Sequence, residues 1–279
     1  MDLKTALAHA VGVLTSRNVA SPGLAAEVLL MHTLECDRAY LYAHPERALT
    51  ADEMSEYHSF VHERASGKPT QYITGHQEFW GMDFLVSQAV LIPRPETEHS
   101  VEAALELARA HSSIKKIIDV GTGSGCIALA LAKELPDREI HASDISEVAL
   151  AIARDNAERL GFSRVQFQQG DLLANTKADS YDLVVSNPPY VGKNEPEKVQ
   201  QIVRDWEPEV AVFGGATGLE IYQRLIPQAM NALHAGGWLV MEIGYSIEQP
   251  IRDLLREWSD VQIKPDLQGI PRVAVAKRP

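Results

Sequence analysis

Cysteine is nearly absent from the 279-residue chain: only Cys36, in a helical stretch, and Cys126, inside a glycine-rich turn, occur. Two thiols so far apart in sequence offer neither a disulfide framework nor the spacing of a zinc site, and ordinary packing in a reducing compartment is expected. Long hydrophobic runs are missing as well. No stretch reaches the roughly 18 to 20 apolar residues that cross a bilayer, and no basic segment followed by an apolar core opens the chain. A cytoplasmic protein without membrane contact is expected. Positive charge is in deficit, with 26 Lys and Arg against 38 Asp and Glu and a formal charge of −12. Nonspecific nucleic-acid binding draws on basic excess to displace counterions, so a protein or metabolite partner is expected, without direct nucleic-acid contact. Internal repeats and low-complexity tracts are lacking too.

With 45% hydrophobic residues the chain can bury a substantial core, and its length suits two domains. Residues 1–75 read as a helical domain. Leu3, Ala6, Leu7, Ala10, Val11 and Leu14 recur on one helical face, and Ser21-Pro22 has the form of an N-cap and first helical position before Leu24, Val28 and Leu29. Thr50 and Glu53 have capping-box spacing, and the helix they start is closed by Gly67. His58 and His62 lie one turn apart on it, but no third ligand is evident; a solvated face and no metal site are expected.

Residues 76–93 contain Glu78-Phe79-Trp80 and Asp83-Phe84-Leu85-Val86 around Gly81-Met82, which predicts a β-hairpin with a type II′ turn joining two domains. From residue 94 to 279, apolar runs at 116–120, 139–143, 165–168, 182–186, 238–242 and 272–276 alternate with amphipathic stretches. That pattern predicts an α/β domain with a doubly wound, mainly parallel sheet of the Rossmann-like kind, its last two apolar strands forming an antiparallel edge pair.

Asp119 ends the first of these strands and Gly121, Thr122, Gly123, Ser124 and Gly125 follow it, opening a helix. Such a turn at a strand's carboxyl end binds nucleotides through unpaired N–H groups. Cys126 stands where a dinucleotide fingerprint requires glycine, and the Asp119 carboxylate would repel a pyrophosphate but suits the ammonium group of S-adenosylmethionine. Asp144, ending the next strand, is placed to accept ribose hydroxyls; Asp171, after the third, to accept from the adenine amino group. The domain therefore reads as a class I S-adenosylmethionine-dependent methyltransferase, releasing S-adenosylhomocysteine.

The strand at 182–186 runs into Asn187-Pro188-Pro189-Tyr190. Two prolines fix φ and remove two donors, so the loop presents oxygens. The Asn187 side-chain oxygen and the Pro188 carbonyl can accept both hydrogens of one NH2 group, and Tyr190 can stack on a flat acceptor. Such alignment suits a nitrogen whose lone pair is delocalised.

These residues, with Leu91-Ile92-Pro93-Arg94-Pro95-Glu96-Thr97-Glu98, resemble the bacterial peptide-chain release factor glutamine N5-methyltransferase family (PrmC/HemK) over essentially the whole chain. The resemblance implies methylation of the glutamine side-chain amide in the Gly-Gly-Gln motif of class I release factors; for a substrate of this size a monomer is expected. It also implies that the residues from Gly121 to Gly125, Asp144, Leu172 and Asn187 touch the cofactor, and that Asn187, Pro188, Pro189 and Tyr190 hold the glutamine. Glu207-Pro208, Gly214-Gly215, Gly218-Leu219, Asp266, Gly269 and Arg272 are further matches; Leu172 departs from an aromatic in relatives, and Ala216-Thr217 replaces a segment that often carries Asp. Arg94, Glu96, Thr97 and Glu98 read equally as a helix start around Pro95 and are not assigned to catalysis. The Asn-Pro-Pro-Tyr loop is shared with adenine methyltransferases acting on DNA or RNA and with ribosomal-protein glutamine methyltransferases, which remain the alternatives.

Overall fold

Short polar side chains start three helices near the N-terminus. In a computed structural model describing residues 1–195, 197 and 199–279, α1 (Leu3–Ser16), α3 (Arg38–Ala43) and α4 (Ala51–Ala65) are capped by Asp2, Asp37 and Thr50. The Thr50–Glu53 capping box forms in both directions, at 2.8 and 3.2 Å. Gly67, with φ +103°, follows the last turn of α4. At α2 (Pro22–Leu34) Pro22 does take the first position, but Ser21 has φ +49° and caps nothing; its left-handed backbone turns the hydroxyl away from the N–H groups it was expected to serve. With α5 (Thr70–Thr74) these helices make up a compact unit, Met1–His76. Its core joins Leu3, Leu14, Leu29, Leu30, Tyr57 and Val61, while His58 and His62 are exposed.

The second unit, Gln77–Pro279, contains the sheet. β1 (His76–Phe79) and β2 (Met82–Leu85) form the hairpin. Its turn is Trp80-Gly81, with φ of +55° and +62°, which makes it type I′ instead of the II′ turn centred one residue later. Trp80 tolerates the left-handed backbone because its amide donates to Glu98 at 2.9 Å and its indole to Glu134 at 3.1 Å. Phe79, Met82 and Phe84 enter the second unit's core, so the hairpin is packed structure there.

After the 3-10 turn Pro95–Thr97 and α6 (Glu98–Ala110), strands and helices alternate: β3 (Lys116–Val120), α7 (Cys126–Glu134), β4 (Glu139–Asp144), α8 (Glu147–Arg159), β5 (Gln166–Gln169) and β6 (Tyr181–Ser186). The remainder comprises α9 (Gln201–Trp206), α10 (Glu209–Val212), α11 (Glu220–Ala232), β7 (Leu233–Glu242), α12 (Glu248–Leu254), β8 (Ser259–Pro265) and β9 (Pro271–Lys277). The sheet order is β5-β4-β3-β6-β7-β9-β8, parallel through β7. β7 and β9 are antiparallel, as expected, but the edge belongs to β8. Alternation explains the double winding: Ile117, Val185 and Val240 pack with α6, α7 and α8, whereas Ile118, Val184 and Leu239 pack with α11 and α12. Among the described residues, no helix is long and apolar enough to cross a membrane.

Candidate active site

The chain leaves β3 for β4 on one side and returns as β6 on the other, so the carboxyl ends of β3 and β6 flank the point where the winding reverses. Ligands bind at such a crevice in open α/β sheets. A cavity of about 270 Å3 lies there, walled by the glycine loop, Asp144, Leu172, Asn187 and the segment before α6.

Gly121 and Gly123 take φ of +74° and +55°, which lets the loop turn sharply off β3. The loop is fastened from below. Asp119, 0% exposed, accepts from the Thr122 hydroxyl at 2.6 Å and the Ala128 amide at 3.2 Å, while its Oδ1 is buried without a partner. Burial, with Asp144 nearby, pushes its carboxyl up to about 7. Asp144 accepts from the Gly123 and Ser146 amides, both at 2.9 Å, and burial raises its pKa as well. Fully buried Asn156 clamps the other side: it accepts from the Leu85 amide at 2.7 Å and donates to the carbonyls of Leu85 and Ser124 at 3.0 and 2.9 Å. Cys126 is buried at the start of α7, with its thiol pushed up to about 12 by burial and then by Asp119.

Asn187 and Pro189 line the cavity; Pro188 is buried. The Asn187 amide nitrogen donates to the Thr97 hydroxyl at 3.0 Å, and Thr97 donates to Glu242 at 2.7 Å. Tyr190 sits with its ring edge against Gly244 and its hydroxyl 3.5 Å from Glu242, a long contact for a hydrogen bond. The Tyr222 hydroxyl donates to the Glu242 carbonyl at 2.8 Å. Burial, opposed by the Thr97 hydrogen bond and the Arg272 charge, pushes the Glu242 carboxyl up to about 7. The backbone beyond Tyr190 is knitted to residues 212–216 through amides of Val191, Lys193, Asn194 and Gly214. A Cβ on Gly214 or Gly218 would run into the carbonyls of Pro189 or Tyr190, which explains both glycines.

Of the residues singled out in the sequence, those on the cavity wall are Gly121, Thr122, Gly123, Ser124, Asp144, Asp171, Leu172, Asn187 and Pro189. Asp119 and Gly125 lie behind the loop, and Tyr190 lies beside the cavity. Asp171 is exposed and its carboxylate is paired with Arg224 at 2.5 Å. Arg94 and Thr97, set aside as a helix start, do start α6 but also line the cavity. Arg94 pairs with buried Glu207, which in turn accepts from the Ile92 amide at 3.3 Å. Glu242 and Asn156 went unrecognised. A carboxylate closing an otherwise apolar strand was a legible signal for Glu242; nothing local marks Asn156.

A doubly wound sheet with a glycine loop after β3, an acid ending β4 and Asn-Pro-Pro-Tyr after β6 defines an S-adenosylmethionine-dependent methyltransferase. The family descriptions that match are the PrmC N-terminal domain, over residues 5–75, and the methyltransferase small domain, over residues 102–207. The release factor glutamine methyltransferase of Koribacter versatilis (strain Ellin345) is 53% identical, covering 100% of this chain and 99% of its own. That of Moorella thermoacetica (strain ATCC 39073 / JCM 9320) is 42% identical over the same shares. The chain belongs to the release factor glutamine methyltransferase family. Among solved structures, the hMettl16 catalytic domain in complex with MAT2A 3'UTR hairpin 6 has a TM-score of 0.58 at 18% identity, covering 87% of this chain and 92% of its own, which shows the fold alone.

The residues present fit the cofactor. The unpartnered Asp119 Oδ1 is a buried acceptor under the loop, suited to a cation, and a Cβ on Gly121 or Gly123 would meet nothing within 4 Å, so backbone faces open space there.

Proposed function

We propose that this enzyme methylates the side-chain amide nitrogen, N5, of the glutamine in the Gly-Gly-Gln motif of class I release factors. One observation carries the reading: Asn187, at the cavity wall, spends its NH2 on Thr97, which leaves its oxygen to accept from a substrate NH2. When bound, S-adenosylmethionine supplies a methyl group on a sulfonium, an electrophile with a neutral thioether as leaving group. Asp119, through its unpartnered Oδ1, the loop from Gly121 to Gly125 and Asp144 would hold the cofactor: Asp119 beneath its ammonium, the loop along its methionine portion, Asp144 at its ribose. Leu172 would cover the adenine, and Asp171, paired with Arg224, would accept from its amine.

Asn187 Oδ1 and the Pro188 carbonyl hold both hydrogens of the glutamine NH2 and point its nitrogen at the methyl carbon. As the new C–N bond forms, positive charge grows on nitrogen beside these oxygens, which stabilises the transition state. Tyr190 shields the amide plane from water. The methylated nitrogen then releases its proton to water, so no side-chain base acts before attack. The helical unit grips the release factor, and the enzyme works as a cytoplasmic monomer.

The test is transfer of labelled methyl to wild-type release factor, to its Gln→Ala variant in Gly-Gly-Gln, and to unmethylated DNA. Label on the first alone is the expected result, and Asn187→Ala lowers kcat by about 100-fold or more. Label on DNA would instead establish an adenine acceptor.

A further inference from the structure

We infer that Thr97 and Glu242 act as a positioning relay that fixes which end of the Asn187 carboxamide faces the cavity. The inference rests on Asn187 being the acceptor for the substrate amide and assigns to the enzyme the device that makes it one. Thr97 precedes α6, Asn187 follows β6 and Glu242 ends β7; these residues, 90 and 145 positions apart in the first and second contact, meet in one line of hydrogen bonds. Thr97 and Glu242 are each 2% exposed, so water cannot substitute for either partner.

The direction of the line follows from donor arithmetic. Above the folded pKa of about 7 the Glu242 carboxylate is ionised and only accepts, so the Thr97 hydroxyl spends its single proton on it. Its lone pairs then face Asn187 and can only accept. Asn187 must therefore turn NH2 toward Thr97 and oxygen toward the cavity. The two ends of a carboxamide have nearly the same shape, and the reversed orientation would set one NH2 against the NH2 of the substrate. Shape alone therefore does not choose between them; the carboxylate does. Around Glu242, burial opposes the charged form most and Glu96 adds to that, while the Thr97 hydrogen bond, Arg272 of β9 and the Tyr190 hydroxyl favour it; the Tyr222 hydroxyl and the Cys126 thiol are further ionisable neighbours. Among the described residues, no hydrogen bond holds the Asn187 oxygen.

The experiment uses the full chain as wild type, Thr97→Val, Thr97→Ser and Glu242→Gln, all confirmed as folded by circular dichroism. Three quantities are measured: kcat and KM for release factor, affinity for S-adenosylhomocysteine by calorimetry, and hydrogen exchange of the Asn187 side-chain amide by 15N NMR. Thr97→Val is expected to lower kcat by about 10- to 100-fold, with S-adenosylhomocysteine affinity held within about twofold. Thr97→Ser, which keeps the hydroxyl, restores most of the rate; Glu242→Gln, which can donate as well as accept, falls with Thr97→Val. Fast exchange of the Asn187 amide in Thr97→Val, against protection in wild type and Thr97→Ser, is the matching signature. Unchanged kcat in Thr97→Val, or a serine variant as poor as valine, overturns the relay. If wild type does not label release factor at all, the substrate reading fails, and the exchange measurement alone decides the relay: protection lost in Thr97→Val supports it, protection unchanged overturns it. Should Thr97→Val not fold, the comparison of Glu242→Gln with wild type carries the same two outcomes.

Discussion

Asp119 and Glu242 are carboxyl groups that the fold pushes up to about 7, well above the ordinary carboxylate range, in both cases mainly by burial. Between the unfolded and folded values the native state holds protons that the unfolded chain has lost. Stability therefore falls as pH rises through that window and the penalty is complete above the folded pKa. Denaturant unfolding of the cofactor-free protein is expected to give lower stability at pH 8 than at pH 6, by about 1 kcal/mol for each group. Glu242→Gln removes its share of the difference. A flat profile would show that water or a counterion reaches these acids.

At the scale of elements, the site depends on loops held by side chains from distant segments. Asn156 on α8 ties β2 to the glycine loop through three hydrogen bonds. Asn156→Ala is expected to lower unfolding free energy by about 2–4 kcal/mol, because it strands buried backbone groups; a loss under about 1 kcal/mol, by urea titration, would refute that role. Such ties mark the limit of what the sequence made legible. The strands near β3, β4, β5, β6, β7 and β9 could be read from the sequence, and the glycine loop and Asn187-Pro188-Pro189-Tyr190 from local motifs placed on strand ends. β8 could not, because its residues alternate between exposed and half-buried and none is an apolar run. Thr97 was read as part of a helix start, which it is; its second bond, to Glu242, depends on a contact across 145 residues that no local pattern encodes. The hairpin was found, but its turn was centred one residue late, since an aromatic at positive φ is rare without the hydrogen bonds that Glu98 and Glu134 provide.

At the scale of the whole molecule, the helical unit has its own core and caps, and the cavity is lined by residues of the second unit. On the proposed reading, binding of the cofactor and capture of the protein substrate are separable. A truncated chain starting at Gln77 is expected to bind S-adenosylhomocysteine within about threefold of the full chain by calorimetry, yet to lose release-factor methylation by about tenfold or more. Equal rates for the two chains would remove the helical unit from substrate capture.

The sheet also imposes an order on synthesis. β8 pairs with β9 alone, and β9 is made after it. On the ribosome β8 therefore emerges before the neighbour that will shelter it exists, at the stage when unpaired strands find wrong partners in other nascent chains. Its composition answers that interval: Asp260, Gln262 and Lys264 alternate along it, and Pro265 ends it. A strand obliged to wait for its partner has to be soluble alone, and the same polarity that hid β8 from an apolar reading of the sequence keeps it so.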